Sequence, residues 1–63
     1  MISFYQGLVV ALVNGILTED REEAIYLGKV AQGCAQFLSD EDAEKAADEA
    51  LKKVEDIMRI SKH

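Results

Sequence analysis

Two interleaved stripes between residues 24 and 37 constrain this chain most. Ala24, Gly28, Ala31 and Ala35 recur at 4-3-4 spacing, and Leu27, Val30, Cys34 and Phe37 recur at 3-4-3. On a helix of 3.6 residues per turn both sets stay on one side. Small side chains let another backbone approach closely, and the larger ones fill the space beside them. The pattern demands a helix packed against other helices. It carries no chemistry of its own. Ala24, Gly28, Ala31 and Ala35 are therefore the expected positions of close helix packing.

A chain of 63 residues makes one domain, near the lower size limit for a fold without disulfides or metals. Apolar residues supply 49% and charged residues 30%, a globular rather than a disordered balance. There is no proline to interrupt a helix by removing an N–H donor. Cys34 is the sole cysteine, so no disulfide closes within the chain. Set inside an apolar stripe, its thiol reads as a small hydrophobe, and the expected compartment is the reducing cytoplasm.

The net charge is −5, and its placement points to helix ends. Glu19, Asp20, Glu22 and Glu23 follow Thr18; Asp40, Glu41, Asp42 and Glu44 follow Ser39. A capping hydroxyl followed by carboxylates marks a first turn, where unpaired N–H groups and the positive end of the helix dipole favour anions. Lys52, Lys53, Arg59 and Lys62 gather toward the other end of the last segment. Without a basic stripe, direct binding of nucleic acid is not expected.

Three segments emerge, with helices expected at about 2–15, 19–38 and 40–61. Residues 2–17 hold no charge. Ser3, Gln6, Gly7 and Asn14 share one side of a helical projection, interrupted by Val10. The apolar residues cover roughly 200° of the rest, far wider than an ordinary surface stripe. The segment is too short and too polar at Gln6 and Asn14 for a membrane span, and it lacks the basic start of a signal peptide. Burial on more than one side fits it best. Asn14-Gly15 also suits a hairpin turn, but no second strand follows; Gly15 is expected just past the end of a helix, with Ile16 making the contact after the cap. In the third segment Ala43, Ala47, Ala50, Val54 and Ile57 recur at 4-3-4-3, and Glu41–Lys45, Asp48–Lys52, Glu49–Lys53 and Glu55–Arg59 are i,i+4 pairs in the favoured order.

Short links at 15–18 and 38–40 favour antiparallel neighbours. The expected fold is all-α: a short up-down-up three-helix unit, a helical hairpin plus an apolar N-terminal helix, completed by oligomerisation. So small a unit cannot easily cover the first helix, so a homodimer is expected to bury it, with Phe4, Leu8, Val9, Leu12 and Val13 as the interface.

Little suggests catalysis. The single histidine is the last residue, His63, remote from any ordered partner. No HExxH, GxGxxG, P-loop or CxxC spacing occurs. Asp40, Asp42 and Glu44 lack the glycine and distant glutamate of a calcium loop, and Glu22 and Glu23 lack the Glu-x-x-His of di-iron bundles. Tyr5 and Tyr26 read as amphipathic rim residues. No enzyme, cofactor or metal is expected. The reading is a cytoplasmic homo-oligomeric interaction module, a regulator or inhibitor masking a partner protein's surface. The alternative is an acidic mimic of nucleic acid that inhibits a basic protein through residues 19–23 and 40–44.

Overall fold

The uncharged segment begins with a reciprocal cap. The Ser3 hydroxyl accepts the Gln6 N–H at 3.1 Å, and the Gln6 side-chain oxygen accepts the Ser3 N–H at 3.4 Å. Two donors that would otherwise be orphaned at the helix start are satisfied. The computed structural model describes residues 3–61, which form three α-helices and no strand: α1 (Phe4–Leu17), α2 (Arg21–Ala35) and α3 (Asp40–Ser61).

Helix α1 continues through Gly15 rather than stopping at it. Its C-cap is Thr18, in extended backbone, whose N–H donates to the Asn14 carbonyl at 2.9 Å. No described residue has a positive φ, so the left-handed cap expected at Gly15 is absent. At Gly15 a side chain would also fit. A Cβ built there lies 3.6 Å from Leu27 Cβ on α2, an ordinary contact distance.

The cap of α2 also shifts from its expected place. Asp20, not Thr18, takes the N-cap, its carboxylate accepting the N–H groups of Glu22 at 2.9 Å and Glu23 at 3.3 Å. Thr18 stands one step earlier, its hydroxyl accepting the Asp20 N–H at 3.2 Å. The backbone places the Asp20 carboxylate, rather than the Thr18 hydroxyl, beside the free N–H groups of the first turn, where charge–dipole attraction adds to the hydrogen bonds. Beyond Ala35 the chain tightens into a turn, with the Phe37 N–H on the Cys34 carbonyl and the Leu38 N–H on that of Ala35, both at 3.1 Å. Ser39 then caps α3, accepting the Asp42 N–H at 3.1 Å. On the solvent side of α3 the Glu41–Lys45 pair closes at 3.4 Å.

Two contacts orient α2 against α1. Gly15 meets Leu27, and the Phe4 ring stacks on Phe37 with centroids 4.5 Å apart and planes 13° from parallel. The early end of α1 therefore lies beside the late end of α2, and the two run antiparallel. Helix α3 lies against α1 as well, while α2 and α3 scarcely meet. Helix α1 is thus the middle of the unit. Its wide apolar arc is flanked from two directions; Ser3, Gln6, Val10 and Asn14 on the polar side face solvent, and so do the apolar Phe4, Ile16 and Leu17 near its two ends. On the polar side Asn14 Nδ2 donates to the Val10 carbonyl at 2.8 Å.

The core is made of Leu8, Val9 and Ala11 from α1, Ala31 from α2 and Ala46 and Ala50 from α3. Tyr5, Leu12, Val13, Val30, Cys34 and Leu38 pack against it half-buried. Val54 is also buried.

Candidate interaction surface

Helix α2 shows how the two stripes divide between inside and outside. Its contact line runs between them, through Leu27, Ala31, Cys34 and Leu38. Of the four small positions, Ala31 is buried, and Ala24 and Ala35 are half-buried. Gly28 is exposed, and a Cβ built on it meets nothing within 4 Å. Close packing at Gly28 is therefore corrected: the side chains of Leu27 and Ala31 set the axis of contact, and Gly28 lies round the helix from it.

The residues expected to meet a second copy from α1 also separate. Leu8 and Val9, at 4% and 3% exposure, are filled space inside the protomer and offer a partner no surface. Leu12 and Val13 pack half-buried on the same core. Phe4 alone of the five is half open to solvent, at 52%, and it is held by the stack on Phe37. Flanking α2 and α3 cover the middle of α1, while Phe4, Val10, Ile16 and Leu17 stay exposed.

The large apolar side chains left outside belong mainly to α2 and α3. On α2 and the turn after it, Ile25, Tyr26 and Phe37 stand exposed; on α3, Leu51, Met58 and Ile60 do. Tyr26 and Gly33 lie on the flank of α2 away from Leu27 and Ala31, and Phe37 stands in the turn beyond its end.

Among the described residues the fully buried set is four alanines, two valines and one leucine, with Tyr5, Leu12, Val13 and Leu38 half-buried around it, while Tyr26, both phenylalanines, Met58 and several isoleucines remain exposed. The chain exposes 5023 Å². A compact monomer of 7.0 kDa exposes about 4,000 Å² by the usual scaling of surface with mass.

Among the described residues the polar side chains do not converge on one centre. Tyr5 lines an open groove of about 380 Å³ with Lys45, Asp48, Glu49 and Lys52. The acidic residues of the two first turns surround the caps at Asp20 and Ser39. Among the described residues no three histidine, cysteine or carboxylate side chains converge as metal ligands, and no helix is long and apolar enough to cross a membrane. Cys34 is a free, half-buried thiol. His63 lies outside the described residues. No protein-family model, curated protein or solved structure matches the chain.

Proposed function

We propose that this chain is a helical protein–protein interaction module that acts by assembling with a second copy of itself, and that it is not an enzyme. The observation carrying this reading is the set of large apolar side chains left open to solvent, Tyr26, Phe37, Met58 and Ile60 among them. Large exposed apolar patches mark interaction surfaces. The assembled unit would regulate or inhibit a partner protein by masking its surface, and the free thiol of Cys34 suits a reducing, cytoplasmic setting.

The alternative, an acidic mimic that occupies the nucleic-acid site of a basic protein, draws on the carboxylates of the two first turns. Asp20 already has a local task as a cap, which weakens that reading. Thermal unfolding tests self-assembly. The Tm rises as protein concentration goes from about 1 to about 100 µM, because association stabilises the folded chain by mass action. A Tm that does not move over this range contradicts the proposal.

A further inference from the structure

Helix α3 is held to the rest of the chain through one surface. It packs on α1 through Ala46 and Ala50 and scarcely meets α2. The link that brings it there, Gln36, Phe37, Leu38 and Ser39, contains neither glycine nor proline, and none of the four has a positive φ. Helices that stop sharply commonly use one or the other residue to do so. Gln36 keeps helical backbone angles, φ −61° and ψ −25°. The Phe37 and Leu38 N–H groups already turn back onto the carbonyls of Cys34 and Ala35, three residues earlier. A modest rotation moves those bonds to the carbonyls four residues earlier and continues the helix. The bend is therefore held chiefly by the docking of α3 and by the Ser39 cap.

We propose that α3 exchanges between two copies: α2 and α3 join through residues 36–39 into one helix, and each copy's α3 docks on the other copy's α1. The inference rests on the self-assembly reading above and specifies its means. The occupant is the second copy's α3 because the single chain already shows that α3 fits this face of α1. Exchange remakes the core that Ala46 and Ala50 share with Leu8, Val9 and Ala11, and hardly any α2–α3 contact is lost. Each copy gives up its Ser39 cap and gains helical hydrogen bonds across the link, where two helix ends with unpaired backbone groups had stood. The joined helix of residues 21–61 is about 60 Å long. Two of them cross near residues 36–39 about a twofold axis. Phe37, 68% exposed in the single chain, lies at that crossing and gains cover from the other copy.

Asp40→Pro separates the bent link from the joined one. Proline suits the first residue of a helix, whose N–H has no partner within it, so α3 still starts at residue 40 in the single chain. Inside a joined helix the same proline removes a hydrogen bond and clashes with the preceding turn. Circular dichroism then shows a chain that remains helical, while sedimentation equilibrium shows a dimer dissociation constant raised about 100-fold or more. Cross-linking gives a second readout that does not depend on this variant. With Cys34→Ser in both, a Tyr5→Cys chain and a Glu49→Cys chain are unfolded and refolded together, then treated with a short bis-maleimide. Tyr5 and Glu49 line one groove between α1 and α3, and exchange builds that groove from two copies, so a bridged mixed dimer forms. An Asp40→Pro chain that pairs as tightly as the parent, or a mixture that yields no bridged dimer, overturns exchange and leaves self-assembly standing. A parent chain that is monomeric overturns both.

Discussion

Alanine is the residue that decides how this molecule packs. Ala46 and Ala50 are 0% and 1% exposed and Ala31 is 6% exposed, so the helices meet where side chains are shortest. Room there is set by the backbones, and a longer side chain has to push a helix away. Ala31→Leu is expected to destabilise the fold by about 1–3 kcal/mol through overpacking, read as a lower midpoint in urea unfolding. An unchanged midpoint would mean that α1 and α2 are not in close contact at this position. Gly28 and Ala31 belong to one stripe in the sequence yet behave oppositely in the fold. Spacing alone assigns a helix face to within about one residue on either side, and only the partner helix selects the line along which contact occurs.

At the scale of elements, helix ends account for much of the acidity. Asp20 accepts two N–H groups at the start of α2, with Glu22 and Glu23 in the first turn; Ser39 does the corresponding work for α3, followed by Asp40, Glu41 and Asp42. Asp20→Ala is expected to lower stability by about 1 kcal/mol, measured by the same urea titration, and no loss would remove Asp20 from the cap. Three helices were legible because each has its own pattern: no charge in 2–17, two stripes in 24–37, alanine-rich repeats with Glu–Lys pairs in 41–59. Their ends were less legible. Thr18 and Asp20 both qualify as caps by residue type, and the competition between hydroxyl and carboxylate is settled by which one the backbone places beside free N–H groups. Gly15 resembles a stop signal, yet the helix runs through it with ordinary negative φ, and a Cβ there would meet Leu27 at a normal 3.6 Å.

For the whole molecule, α1 sits between two helices that scarcely touch each other, and that arrangement redirects the search for an interface. The wide apolar arc of residues 2–17 suggested a helix left open to a partner. Its middle is instead buried by α2 and α3, and exposed apolar side chains are spread over all three helices. Sequence pattern reports how much of a helix face is apolar, but a chain's own fold decides which of those faces is used up internally. With a charge of −5 per copy, pairing brings like charges together, so added salt strengthens the association by screening them. An acidic mimic bound to a basic protein responds in the opposite sense. Sedimentation equilibrium of the full chain over a concentration series, from about 1 to about 100 µM, tests self-assembly most directly. The account predicts a mass that climbs toward about twice the 7.0 kDa of one chain as the dimer fills by mass action. A mass that stays at a single chain throughout would contradict it.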